Sequence, residues 1–127
     1  MDRVDEASGR PRARSFIGLV ALILVVGAAT EGWRVWSERS VGREVAALAR
    51  PGDIFMISSD TCIYCAQARA WFNAHDVPFG ECSIERDAAC AARFAALLAP
   101  GTPVILVRER PQVGFSPPRV AEALRRS

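Results

Sequence analysis

Lysine is absent from this chain: all sixteen basic residues are arginine, a bias that reads as genomic composition. Charge of one sign is scarce in excess, since fourteen acidic residues leave a formal net charge of +2. From Leu48 to Ser127 nine arginines face eight acidic residues, so no basic face is indicated and nucleic acid is not an expected partner. Histidine occurs once, at His75, ten residues beyond Cys65. That interval spans about 15 Å of helix, which speaks against a Cys–His nucleophile pair and leaves His75 as a partner for a helix C-terminus. No internal repeat and no low-complexity tract is present.

What the chain does contain is apolar residues and cysteine. At 127 residues and 13.8 kDa it has room for one domain with a short appended segment. Half of its residues are hydrophobic, but part of that half sits in one N-terminal run and cannot serve a soluble core. About 80 residues then remain for the folded domain, near the small end for a single core. Four cysteines are many for a domain of that size in a reducing cytosol, and an oxidising compartment explains them more easily.

The N-terminal residues 1–15 form a basic tail with Arg3, Arg10, Arg12, Arg14, Gly9 and Pro11, expected to be disordered. Phe16 to Thr30 follows without a charge. Fifteen residues of helix span about 22 Å, short of a hydrocarbon core of about 30 Å. Extension over residues 16–36 reaches adequate length and places Trp33 and Trp36 at the level of an interfacial belt. A transmembrane anchor is therefore expected. A cleaved signal peptide competes with it, since Gly27-Ala28-Ala29 offers small residues for processing. A buried core helix fits worst, because the run is apolar on every face. Four arginines precede the run, whereas Arg34, Arg39 and Arg43 follow it among Glu31, Glu38 and Glu44. This bias puts the N-terminus in the cytoplasm and the C-terminal domain on the extracytoplasmic, periplasmic side of the cell membrane. Residues 37–50 are a linker or first helix, with Val41, Val45 and Leu48 on one face, and Pro51-Gly52 ends it.

Asp53-Ile54-Phe55-Met56-Ile57 has the composition of a buried strand, and Ala66 to Asn73 is rich in helix formers without Gly or Pro. Between them stands Cys62-Ile63-Tyr64-Cys65. A Cys-x-x-Cys pair at a strand-to-helix junction reads as a redox dithiol. Cys62 near the helix N-terminus meets unpaired N–H groups and the positive dipole end, which stabilise a thiolate and make it the attacking sulfur. Cys65 lies on the same helix face and can close a disulfide with it. Asp60 beside the pair is expected to raise the Cys62 pKa.

The rest of the chain supplies a second strand over Val77 to Ile84 and a second helix over Glu85 to Leu98. Thr102 to Val107 is the most hydrophobic strand, hence central. Arg108 to Gln112 reads as a polar turn before a short strand at Val113-Gly114-Phe115, and Ser116-Pro117 opens a last helix. The first two strands should be parallel and the last two a hairpin.

Ile54 to Cys65 resembles the active-site strand and loop of glutaredoxins, including Tyr64 before the second cysteine. Gly101-Thr102-Pro103-Val104-Ile105-Leu106-Val107 resembles the cis-proline strand of the thioredoxin superfamily. The resemblance implies an α/β thioredoxin-like fold over residues 51–127, a central mixed sheet of about four strands flanked by helices and preceded by one transmembrane helix. It implies Cys62 and Cys65 as catalytic residues. Tyr64, Thr102 and Pro103 become substrate-binding residues, with Pro103 cis and the Thr102 backbone open to an extended substrate. Several positions depart from the glutaredoxin pattern: Ile63 replaces a proline, Ser59 a lysine that binds glutathione's carboxylate, and Val113-Gly114 a Gly-Gly turn. Gly101-Thr102-Pro103 is closer to periplasmic disulfide oxidoreductases and isomerases. Glutathione thus stays open, and no other cofactor is expected.

Cys82 and Cys90, seven residues apart in between, leave three readings: a structural disulfide, a second redox pair relaying to the first, or separate buried thiols. A zinc site from all four cysteines does not fit their spacings. The expected function is a membrane-anchored thiol–disulfide oxidoreductase. Its partners are protein thiols and disulfides, an electron donor or acceptor, and the membrane through residues 16–36. Two alternatives use the same residues: a copper-binding module with Thr61-Cys62-Ile63-Tyr64-Cys65 as its loop, and a tethered interaction module with a structural disulfide.

Overall fold

A computed structural model describes residues 12–127, and the expected basic tail lies mostly outside the described residues. Helix α1 runs over Arg12–Leu48. The chain divides into two units, Met1–Ser37 and Glu38–Ser127. In the first unit the helix carries exposed Phe16, Ile17, Leu22, Ile23, Leu24 and Val25. Its most apolar window has a mean hydropathy of 2.0 with none of it buried, and it is long enough to cross a membrane. Trp33 and Trp36 lie beside each other with ring centroids 5.4 Å apart.

The second unit starts with the end of α1, where Val45 is fully buried and Val41 and Leu48 pack beside it, the face expected from their spacing. Residues 37–50 are therefore helical up to Leu48. The remaining elements are β1 (Ile54–Ser58), α2 (Ile63–Ala74), β2 (Gly80–Ser83), α3 (Ala88–Ala96), β3 (Val104–Val107), β4 (Arg110–Val113) and α4 (Pro117–Arg126). The sheet order is β2-β1-β3-β4. Strand β1 pairs with β2 in parallel and with β3 antiparallel, and β3 and β4 form a hairpin. All four residues of β3 are buried, as its composition required.

Alternation along the strands gives the sheet two apolar faces. Ile54, Met56, Ile105 and Val107 pack on one face with Cys65, Ala68 and Phe72 of α2, Val120 and Leu124 of α4, and Val45. Ile57, Val104 and Leu106 pack on the other with Cys90, Phe94 and Leu97. Strand β2 is shorter than expected and starts at Gly80, where a Cβ would lie 2.7 Å from Phe55 Cδ2.

The last strand departs further from expectation. It is Arg110–Val113, not Val113–Phe115, and the turn is confined to Arg108 and Glu109. Both have left-handed backbones, φ 47° and 67°, as a two-residue hairpin turn demands. Such turns ordinarily announce themselves with Asn or Gly. Here the conformation is held from outside: Arg108 N donates to Asp53 O (2.7 Å), and its guanidinium to the carbonyls of Leu124 and Ser127 and to the Asp53 carboxylate. Pro111 is tolerated because β4 is an edge strand.

Candidate active site

Cys62 is the N-cap of α2, with extended backbone angles (φ −83°, ψ 107°), and the helix begins at Ile63 rather than at Ala66. Its Sγ accepts a hydrogen bond from the Cys65 N–H at 3.1 Å. A sulfur so placed faces the free N–H groups and the positive end of the helix dipole, the environment that stabilises a thiolate. Cys62 and Cys65 are joined as a disulfide with Cα atoms 5.2 Å apart. The two sulfurs differ in access: Cys65 is fully buried against the core, while Cys62 remains partly exposed. Ile63 and Tyr64, between the two cysteines in the chain, are both about two-thirds exposed.

The Thr102–Pro103 peptide bond is cis, as the resemblance implies. Pro103 is fully buried, and its carbonyl accepts from Gly114 N at 2.8 Å. Ser59 Oγ and Thr102 Oγ1 are 2.9 Å apart and tie this segment to the loop that leads into the dithiol. Thr102 makes no backbone hydrogen bond to another element among the described residues. Cys82 and Cys90 form a second disulfide, with Cα atoms 6.0 Å apart. It packs on the sheet face opposite Cys65, with Ile57, Val104 and Leu106.

Several polar residues of this region escape sequence reasoning, because their partners are brought in from elsewhere in the chain. Arg69 grips the Glu81 carboxylate with both Nε (2.9 Å) and Nη2. Ser58 Oγ lies 2.9 Å from the same carboxylate and 3.1 Å from the Cys82 carbonyl. The Arg69 hydrogen bonds, reinforced by Ser58, hold the Glu81 carboxyl below its ordinary value against the opposing effect of burial. Asp60 is likewise held low, first by Ser83 and then by Arg86. Its carboxylate is therefore not a bare charge beside Cys62, as its place in the sequence suggests. These groups open on one polar cavity of about 530 Å³, lined by Ser59, Asp60, Cys62, Arg69, Glu81 and Arg86 among others. Among the described residues no group of three or more His, Cys, Asp or Glu side chains gathers to hold a metal ion.

A parallel βαβ unit, a cis-proline strand and a helix-capping Cys-x-x-Cys together define a thioredoxin-like domain. Among solved structures, a single-site variant of the thioredoxin-like protein BC3987 superposes with a TM-score of 0.53 at 19% identity, covering 58% of this chain and 96% of that one. The unaltered BC3987 protein superposes with a TM-score of 0.50 at 18% identity, covering 55% and 97%. A glutaredoxin from Archaeoglobus fulgidus aligns at 15% identity with a TM-score of 0.48, covering 57% of this chain and 86% of that one. No curated protein matches the chain. Residues 54–111 match the glutaredoxin family model, and the fold of the C-terminal unit is that of the glutaredoxin/thioredoxin superfamily.

Proposed function

We propose that this protein is a membrane-anchored thiol–disulfide oxidoreductase that works on protein thiols outside the cytoplasm. The observation that carries the reading is the position of Cys62, an accessible sulfur at the N-cap of α2 bonded to a buried Cys65. The glutaredoxin match over residues 54–111 supports thiol redox chemistry.

In the reducing direction the Cys62 thiolate attacks one sulfur of a substrate disulfide. One S–S bond breaks, the substrate releases a thiolate, and Cys62 is left in a mixed disulfide. Cys65 loses its proton and attacks Cys62 Sγ, releasing the second substrate thiol and restoring the internal disulfide. Two electrons pass to the substrate, and a dithiol reductant returns them to the pair. With an oxidised pair and a reduced substrate the same steps run backwards, and the reduction potential of the couple against its compartment sets the direction. In this reading an extended substrate lies along the open backbone of Thr102, beside Pro103 and Tyr64. Cys82–Cys90 is a structural disulfide, which its location across the sheet from Cys65 favours over a relay.

The division of labour in the dithiol is directly testable. Cys65→Ser should trap mixed disulfides between Cys62 and substrate proteins, and Cys62→Ser should trap few or none. Iodoacetamide near pH 6 should label Cys62 first in the reduced protein. Faster labelling of Cys65, or trapping by the Cys62→Ser variant alone, overturns the assignment.

A further inference from the structure

The Ser83–Asp87 segment joins β2 to α3, and it grips the loop leading into the dithiol at several points. Ile84 N donates to Ser58 O at 3.0 Å. The Asp60 N–H donates to Glu85 Oε2 at 3.1 Å. Ser83 Oγ lies 2.9 Å from Asp60 Oδ1, and Arg86 Nε lies 3.1 Å from Asp60 Oδ2. Within the segment, Asp87 N bonds back to Ser83 O, and the Asp87 side chain caps α3 at Ala89 N and Cys90 N. Cys82 and Cys90 then close this whole turn into a covalent ring. The second disulfide thus encloses the very residues that hold the active-site loop.

We propose that the Ser83–Asp87 turn, closed by Cys82–Cys90, is the positioning element of the dithiol: Ser83 and Arg86 hold Asp60 as a compensated charge, so that Cys62 ionises against the helix N-terminus and not against a bare carboxylate. The inference rests on the oxidoreductase reading of Cys62 and Cys65 and adds to it the residues that tune the couple. Asp60, Arg86 and Cys62 line one cavity. The other charged groups around it are the Arg69–Glu81 pair, already matched, and Glu85, whose carboxylate accepts from the Asp60 N–H and shares the Ser83 hydroxyl with Asp60, so that among the described residues Arg86 is the one cation on Asp60. An unmatched carboxylate two residues before Cys62 would disfavour its thiolate. Raising a nucleophile's pKa makes the reduced form less favoured and the couple more reducing. Asp60, Ser83 and Arg86 are positioning residues, since they act through Cys62.

Three charge variants of the full-length protein in detergent test the proposal: Arg86→Gln, Asp60→Asn and the double variant. Two readouts are the pH profile of Cys62 alkylation and the redox equilibrium of Cys62–Cys65 in dithiothreitol buffers, each cysteine pair followed by peptide mass. Arg86→Gln should lower the Cys62 thiolate fraction at neutral pH by about two- to threefold, the size of one solvent-screened unit charge, and make the couple more reducing. Asp60→Asn should shift both readouts the opposite way, and the double variant should return close to the unaltered protein. A Cys82→Ser/Cys90→Ser variant that folds should follow Arg86→Gln in direction, because the turn is no longer held. Unchanged profiles in the single variants, a double variant that fails to return, or a folded serine variant with an unaltered Cys62 profile would overturn the proposal. If the serine variant does not fold, the charge cycle decides. Failure of the unaltered protein both to reduce insulin disulfides and to oxidise a dithiol peptide sinks the oxidoreductase reading separately, and the redox equilibria still report on the turn.

Discussion

Glu81 shows how much of a residue's chemistry here depends on what folding brings to it. In the chain it is one acidic residue before Cys82; in the sheet it stands opposite Met56, and its side chain meets Arg69 and Ser58 beside the dithiol. Those partners hold its carboxyl below its ordinary value of 4.5, so the folded state binds the proton less readily than the unfolded chain. A depressed carboxyl contributes stability above its unfolded pKa and loses it as the pH falls through the folded one. Glu81→Gln should therefore be less stable than the unaltered protein at neutral pH. The two should converge below pH 4.5, where the advantage of ionised Glu81 fades. Thermal melts across an acid series check this, and a gap that stays constant or widens toward acid would contradict it.

Between elements, the contact that is least forgiving joins the end of α1 to α2. Gly42 packs so closely on His75 that an added Cβ would lie 2.1 Å from His75 Nδ1. The His75 ring in turn packs against Trp71, with centroids 4.5 Å apart and ring planes tilted by 48°. His75 does occupy the C-cap of α2, as its sequence position suggests, and its ring also serves as a packing surface. Gly42→Ala should cost about 1–3 kcal/mol, the usual range for overpacking a close contact. Placing it in a His75→Ala background should relieve most of that cost. Urea midpoints for the two single variants and the double variant measure the coupling, and additive effects would show that the contact is not the cause.

At the scale of the whole molecule, the apolar unit and the redox domain make separate claims on localisation. Helix α1 has the length and composition of a membrane span, and the arginine bias around its apolar run sets the expected orientation. Alkaline phosphatase fused after Ser127 should be active, and a cytosolic reporter at the same site silent. An active cytosolic reporter reverses the orientation and removes the oxidising compartment from the reading of Cys82 and Cys90. Membrane fractionation of the full chain separates an anchor from a cleaved signal, since a soluble form beginning near Thr30 indicates cleavage.

Local features were legible in the sequence where local physics decides them. The buried strand before Cys62, the helix after it, the β3 run and the apolar N-terminal segment each follow from composition and period, and parallel pairing of β1 and β2 follows from the helix between them. The cis form of Thr102–Pro103 came through the family likeness of its motif, because an X–Pro bond leaves either isomer within reach locally. The β4 register could not be read, since Arg108 and Glu109 carry no turn signal and adopt left-handed backbones in contacts with Asp53 and the end of α4. The polar surroundings of the dithiol lay equally out of reach. Asp60 meets Arg86, Ser59 meets Thr102, and Arg69 meets Glu81 only when β2 and the segment before β3 assemble beside β1 and α2. The sequence alone determined which sulfur atoms stand at the start of a helix, because local composition sets where a helix begins. Only the tertiary structure decided the charges those atoms face, because electrostatic interaction depends on distance through space and not along the chain.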